Sequence, residues 1–366
     1  GRGVLRGLVA EVLLGLVAQE EPDEGVSYEF QTEFEADTTA TATEPEEDEV
    51  FRPTRVLPYR IKFSTDYVLS QLDNSLVIER YQNFVGNGPV FDNPDLSGLI
   101  TLSISDLMED YRFVGGFRLP TTFSGSEYFL SFEDLKSRLD KKYTYYRKVD
   151  HVSFNMQPTY FNDVRAKQKT NYFQTELTYP IDVTRSLRAT GGFRNYKVEF
   201  LSADTFTLFL PTYSENWLQG RFEYIFDNTL PIGLNLMEGT RYKFYYEAYK
   251  QFYFNVDPGV ELDLAQGFMS VLGTDIRHYI RVHKNIVWAN RFAAGTSFGS
   301  KKLIYYLGGV DNWLFPRFNQ EMEVNMDNNY AFQTLATNMR GFRQNIRNGN
   351  SFAVANTELR VPIFSY

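Results

Sequence analysis

The stretch "RYKFYYEAYKQF", residues 241–252, decides how the rest of the chain is read. Tyr242, Phe244, Tyr246, Ala248 and Phe252 fall on one side of an extended backbone, and Arg241, Lys243, Tyr245, Glu247, Tyr249 and Gln251 on the other. Side chains at i and i+2 share a face of a strand, so the segment is a sheet element with an apolar face and a charged one. The pattern recurs outward from it in "NYFQTELTY" (171–179), "WLQGRFEYIFD" (217–227) and "IVWANRFAAGTSF" (286–298).

Twelve such segments are expected: 59–70, 97–108, 111–119, 127–134, 142–150, 169–179, 186–198, 216–227, 238–250, 271–282, 286–298 and 351–361. Two architectures share the alternation. A soluble β-sandwich turns its polar face to water, and its strands are usually short, about 5–6 residues. A transmembrane β-barrel needs about 10 residues per tilted strand and must close, because lipid cannot satisfy free backbone edges. The longer segments here, with aromatics near their ends, favour the all-β transmembrane antiparallel barrel. The "HKN" turn (283–285) is a tight hairpin, whereas 71–96, 199–215 and 299–350 are long connections, an asymmetry that outer-membrane barrels show between their two ends. Residues 251–270 fit neither a clean strand nor a helix.

Composition agrees with many half-buried strands. The 366 residues include 25 Tyr and 32 Phe, against 3 Trp, at a hydrophobic fraction of 43%. Cysteine is absent, which excludes disulfides, thiolate metal sites and cysteine nucleophiles. The net charge of -9 is a property of one segment: residues 1–50 hold 14 Asp plus Glu and only Arg2 and Arg6, leaving 51–366 at +3. The body therefore carries no basic footprint for nucleic acid. Residues 1–50 are expected to be an acidic segment or linker, with "TTATATEPEEDE" (38–49) too charged to pack, and 51–366 the β-domain. "VLRGLVAEVLLGLVAQ" (4–19) faintly imitates a signal peptide but is interrupted by Glu11, and reads as a short amphipathic helix or the end of an upstream domain.

No enzymatic chemistry is indicated. His278 and His283 face opposite sides of one strand, His151 is remote, and no G-x-S-x-G turn or glycine-rich phosphate loop occurs. Ser297 or Ser351 with His278 is the only loose material for hydrolysis. Asp106 and Asp110 read as a solvated hairpin end, with nothing to complete a cation site. No cofactor is expected.

The order of features near the end of the chain carries a family resemblance. "YYLGGVDNW" (305–313) is followed by a long connection, then "NMRGFRQN" (338–345), then "SFAVANTELRVPIF" (351–364). This resembles the barrel domain of the Omp85 superfamily, also called bacterial surface antigen D15. "DNTLPIGLNLMEGTRYKFYYE" (227–247) is similar to the family as well, and the likeness spans roughly 59–366. The resemblance implies a sixteen-stranded outer-membrane barrel that inserts or translocates proteins. Gly308 and Gly309 would be the hinge of a long loop, and Met339, Arg340, Gly341 and Phe342 its tip, with Arg340 pairing a carboxylate inside the lumen. Asn356, Glu358, Arg360 and Pro362 would lie on the following strand. Tyr59, Ile61 and Phe63 would begin the first strand, whose seam templates an incoming strand while local bilayer thinning eases insertion.

Four departures accompany it. The chain ends after what would be strand twelve, so the family's acidic partner for the loop arginine is not expected within it. Met339 replaces Val or Ile, the gap from Gly309 to Arg340 is long, and no polypeptide-transport repeats precede the barrel. Relatives from Bacteroidetes-like bacteria join such a barrel to a β-propeller, so the acidic segment would follow an upstream domain. The implied partners are outer-membrane lipid, nascent or transported polypeptides, and periplasmic proteins or lipoproteins, with no nucleic acid. The implied location is the bacterial outer membrane. A passive channel and a structural barrel in an envelope secretion or assembly complex are the alternatives.

Overall fold

The computed structural model describes residues 60–73, 78, 80–84, 91, 97–120, 125–155, 163–202, 205–255, 261–264, 267–310 and 316–362. These lie in one compact unit, Arg60–Tyr366. The acidic segment 1–50 and Tyr59 fall outside the described residues.

Eighteen strands are described. The first six are β1 (Phe63–Asp73), β2 (Gln82–Asn83), β3 (Ser97–Asp106), β4 (Tyr111–Pro120), β5 (Ser126–Asp134) and β6 (Asp140–Asn155). Next come β7 (Asp163–Pro180), β8 (Arg185–Phe200), β9 (Tyr213–Asp227), β10 (Leu230–Gly233), β11 (Leu236–Asn255) and β12 (Glu261–Asp263). The last six are β13 (Phe268–His283), β14 (Ile286–Gly299), β15 (Lys302–Leu307), β16 (Tyr330–Leu335), β17 (Arg347–Gly349) and β18 (Ser351–Arg360).

Twelve of them form one antiparallel sheet in the order β1-β3-β4-β5-β6-β7-β8-β9-β11-β13-β14-β18, with β10 and β12 as short flaps on β11. These are the twelve segments that alternation picks out. Aspartates hold several of the hairpin turns. Asp106 accepts from the Tyr111 amide at 2.8 Å, Asp182 from the Thr184 and Arg185 amides at 2.8 Å, and Asp227 from the Thr229 amide at 3.0 Å. Such side-chain acceptors replace the backbone partners that a turn removes. The hairpin end expected at Asp106 and Asp110 is solvated at residues 107–109, while Asp106 itself is buried and caps the turn.

Register sorts the two faces. Val68, Leu102, Gly115, Leu130, Tyr145, Phe173, Phe193 and Leu218 are successive cross-strand partners on one face. That face is bare among the described residues: Phe244 and Phe292 stay 48% and 43% exposed rather than being tucked under a second sheet. On the other face Arg112, Glu133, Lys142 and Glu176 succeed one another, and Thr190, Arg221 and Glu247 continue the row. Opposite charges on adjacent strands stabilise the pairing modestly, ~0.2–1 kcal/mol per pair.

A second, four-stranded sheet in the order β17-β15-β16-β2 covers part of this polar face. It is built from two of the long connections. Phe332 pairs with Asn83 and Gln333 with Gln82, so the connection after β1 and the one after β14 are stitched together. The main core lies between the sheets, where Trp217, Met269, Val271 and Tyr249 of the large sheet meet Leu303, Tyr305, Phe332 and Tyr81. A smaller cluster on the far side of the four-stranded sheet joins Ile304, Tyr306, Val324 and Tyr330. Within 251–270 the described residues form the end of β11, β12 and the start of β13, with Tyr253 opposite Asp263.

The expected closed transmembrane barrel is not formed. The large sheet begins at β1 and ends at β18, and among the described residues these two strands pair only with β3 and β14. Alternation is a property of single strands and fixes two faces; closure is a property of the whole set and needs a matching tilt and stagger around the ring. The outer-membrane placement rested on closure, because hydrocarbon does not tolerate open sheet edges, and it falls with it. No helix among the described residues is long and apolar enough to cross a membrane, which bears on helices alone. The passive channel also needed a closed wall.

Candidate functional site

The charged row ends in a covered cluster on β9 and β11. Glu247 is fully buried beneath the connection that follows β1. Its carboxylate accepts from Arg80 of that connection at 3.1 Å, from the Tyr249 hydroxyl at 3.0 Å, and from its cross-strand neighbour Arg221. Arg221 forks between Glu247 and Glu223, and its guanidinium lies 4.6 Å over the Tyr245 ring. Beside it Arg194 donates to the Tyr81 carbonyl at 3.0 Å and stacks over Phe332 at 5.0 Å.

Electrostatics in this cluster follow from burial. Loss of solvent pushes the Tyr81 and Tyr249 hydroxyls well above the ordinary phenol range, and Tyr245 up to about 12, so all three stay neutral, and Tyr81 and Tyr249 donate to Glu247. Burial also pushes the Glu247 carboxyl up, and the Arg80 charge is the main opposing influence. Breaking one partner of such a sequestered pair costs ~3–5 kcal/mol. The cluster therefore anchors the connection after β1 to the middle of the large sheet.

Next to it the polar face is hollow. A cavity of about 340 Å³ is lined by Arg80, Lys142, Arg188, Arg194 and Arg221, by Glu176 and Glu223, and by hydroxyl and amide groups that include Tyr172, Gln174 and Gln219. Tyr172 donates to Gln174 at 2.7 Å and accepts from Gln219, which fixes these side chains on the wall.

Most of the residues singled out by sequence gather at one place. Gly309 bridges Met339, its amide donating to the Phe342 carbonyl at 3.1 Å and its carbonyl accepting from the Met339 amide at 2.8 Å. Gly308, Gly309 and Gly341 all have left-handed backbone, with φ of 108°, 81° and 86°. A Cβ at Gly308 would meet the Arg343 carbonyl oxygen at 2.1 Å, so this close approach demands glycine. Arg340 is 81% exposed, with its Nη1 3.9 Å from Glu358 Oε1. Glu358 is held more closely by Arg360, at 3.0 Å, and Asn356 donates to the Asn338 carbonyl at 3.1 Å. The loop is thus tied to β18 of this chain. Phe342 and Pro362 are exposed, as is Ile61; Phe63 packs edge-on against Phe113 at 5.4 Å.

His278 is not brought to Ser297 or Ser351. His278 lies opposite Asn290 and contacts Thr240 at 2.7 Å, while Ser297 lies opposite Val271, seven residues along β13. Ser297 accepts from the Leu303 amide at 2.9 Å, and Ser351 contacts Thr296 at 2.7 Å. Among the described residues no three His, Asp or Glu are grouped to hold a metal ion.

Sequence reasoning missed Arg80, Arg194, Arg221 and Glu247 as a site. Arg221 and Glu247 are visible on the charged faces of their strands, but nothing local shows that they are cross-strand partners or that Arg80 reaches them.

No protein-family model matches the chain, and no curated protein does. Among solved structures the chain is similar to CdiB from Escherichia coli, at 11% identity and a TM-score of 0.45. The match covers 86% of this chain and 50% of that one, so the chain spans about half the length of that structure. A likeness this distant carries no function across. The expected membership of the Omp85 superfamily is corrected on the fold it implied: among the described residues the large sheet is open and does not close into a barrel.

Proposed function

We propose that this chain is a non-enzymatic scaffold that binds an extended polypeptide segment by adding it to a free edge of the large sheet. The observation that carries this reading is β1. Its outer edge has no partner among the described residues, and Tyr67–Leu72 runs six residues without a charge or a proline. Edge strands normally carry lysine, proline or bulges that prevent pairing with another chain. The register irregularity of β1 lies between Thr65 and Tyr67, at one end of that run, and leaves the rest straight. An incoming strand would gain main-chain hydrogen bonds along it, and pockets for alternate side chains would select its sequence. The cluster at Glu247 supports the arrangement, because it holds the connection after β1 in place.

Phe63 would begin this docking strand, and Ile61 lies just before it. The loop bearing Met339, Arg340, Gly341 and Phe342 lies against β18 and would restrict approach to that opposite edge. The polypeptide would be a transported or folding client, and no nucleotide or metal is called on.

The absence of cysteine makes the test direct. Single cysteines at Val68, Leu69, Ser70 and Gln71 are paired with a synthetic alternating peptide carrying one cysteine. Crosslinking that depends on strand register, together with its loss in either Leu69→Pro or Ser70→Pro, is the expected result. Neighbouring residues point their amides to opposite sides, so one of the two prolines removes an outward donor without touching the β3 ladder. Equal crosslinking at every position, or unchanged binding in both proline variants, would refute the reading.

A further inference from the structure

The cavity beside Glu247 has a chemistry that strand addition does not use. Five cationic side chains line it against two carboxylates, Glu176 and Glu223. Glu133 and Glu247, just behind the wall, pair with Lys142 at 2.8 Å and with Arg221, and counting them still leaves one cation in excess. Arg221 is 91% buried by side chain, with 9% exposed. Two of its nitrogens are committed to Glu223 and Glu247, and its Nε, also buried, has no hydrogen-bond acceptor among the described residues. An unmet buried donor on a cation is costly, and a bound anion is the group that would satisfy it.

We propose that this cavity binds a small oxyanion, a carboxylate or phosphate group, between Arg221, Arg188 and Lys142. Arg188 and Lys142 are partly exposed and provide the route from solvent. Arg188 sits between Glu176 at 3.4 Å and Glu223 at 3.9 Å, distances long enough for it to turn toward a better acceptor. The hydrogen-bonded run Gln219–Tyr172–Gln174 sets neutral polar groups beside these cations on the same sheet face. The volume admits a phosphate or a short carboxylic acid, while bulkier anionic polymers exceed it.

The full chain is titrated by calorimetry with sodium phosphate and, separately, with sodium acetate, against chloride at matched ionic strength. Saturable uptake of one anion per chain is expected, and the anion that binds more tightly identifies the source of the chemistry. Lys142→Met and Arg188→Gln each should weaken that affinity about tenfold, the loss of one charge-assisted hydrogen bond. Arg138→Gln, an exposed arginine bonded to the Pro180 and Ile181 carbonyls, leaves it unchanged. Arg221→Gln is a stronger test where the variant folds; Lys142→Met keeps every Arg221 pair and suffices where it does not. No saturable uptake of either anion, or parental affinity in both Lys142→Met and Arg188→Gln, would overturn the proposal. Strand crosslinking is read without either anion, so the two ideas stand or fall separately.

Discussion

Arg80 and Glu247 are 167 residues apart in sequence and 3.1 Å apart in the fold. The contact joins the connection after β1 to the centre of β11, and the two ends of the pair differ in exposure. Glu247 is wholly buried, whereas the Arg80 side chain is 48% exposed. Removing the buried partner therefore costs more than removing the exposed one. Glu247→Gln should lower stability by ~3 kcal/mol, since it removes one of the two buried counter-charges of Arg221 and leaves only Glu223. Arg80→Ala should cost about 1 kcal/mol, because Arg221 still pairs the carboxylate and water still reaches part of the Arg80 site. Urea denaturation of the two single variants and the double variant measures both values and their coupling.

The acid limb of stability should carry the signature of Asp275. Burial alone would raise its carboxyl, but hydrogen bonds from Arg277 and Arg291 outweigh this and hold it at about 2. Those contacts measure 3.0 and 2.7 Å, and the side chain is only 14% exposed. A depressed folded-state value means that the stabilisation is fully present above the ordinary aspartate value of ~3.9 and is lost as pH falls toward about 2. The contribution is about 2 kcal/mol. Asp275→Asn should lose that amount at pH 7 and show a flatter loss of stability between roughly pH 4 and pH 2 than the parent. Denaturant midpoints across that interval decide it, and parallel curves for the two proteins would count against the assignment.

The twelve strands of the large sheet are legible in the sequence because each is long and each alternates cleanly, as "RYKFYYEAYKQF" does. The four-stranded sheet is not. β2 has two residues and β17 three, and β15 and β16 have six each, too short for any period to stand above chance. Their pairing joins residue 83 to residue 332, a relationship that no local pattern carries. The same limit hid the covered charges. Glu247 and Arg221 look like ordinary members of polar faces, and only register and the overlying connection bury them. Closure failed for a related reason: it depends on whether strands at opposite ends of the sheet meet, and the alternation of β1 or β18 is the same either way. Gly308 and Gly309 were singled out only through the family resemblance, and their left-handed backbone agrees with glycine at those positions.

Gly308 and Gly341 share positive φ but differ in their surroundings, which separates two kinds of cost. At Gly341 an added Cβ meets nothing within 4 Å, so Gly341→Ala should lose only backbone strain, ~1 kcal/mol. At Gly308 the Cβ would lie 2.1 Å from the Arg343 carbonyl oxygen, which belongs to backbone and cannot swing aside. Gly308→Ala should therefore push residues 339–346 off the position fixed by the Gly309 bridge, at a cost of ~3 kcal/mol or more. Hydrogen exchange at the Met339 and Ile346 amides, which donate to Gly309 and Leu307 at 2.8 and 2.9 Å, reads the displacement. Protection lost in Gly308→Ala and kept in Gly341→Ala is the expected pair of results.

Phe332 tests whether the small sheet can leave the large one. Its ring sits 4.9 Å from Trp217 and 5.8 Å from Tyr249, fully buried between the two sheets, while Arg194 stacks on it. Phe332→Ala should cost ~3–5 kcal/mol through lost contact and the cavity left behind. The large sheet has its own continuous ladder from β1 to β18, so the loss should fall on the docking of the four-stranded sheet before it reaches the strands beneath. Trp217 is buried at 1% and Trp288 is 46% exposed, which makes Trp217 the reporter of that event. A red shift and added quenching of Trp217 in Phe332→Ala, with Trp288→Phe and Trp313→Phe as background and far-ultraviolet dichroism unchanged, is expected. Simultaneous loss of dichroism would mean that the two sheets fold as one cooperative unit and that the cover cannot open alone.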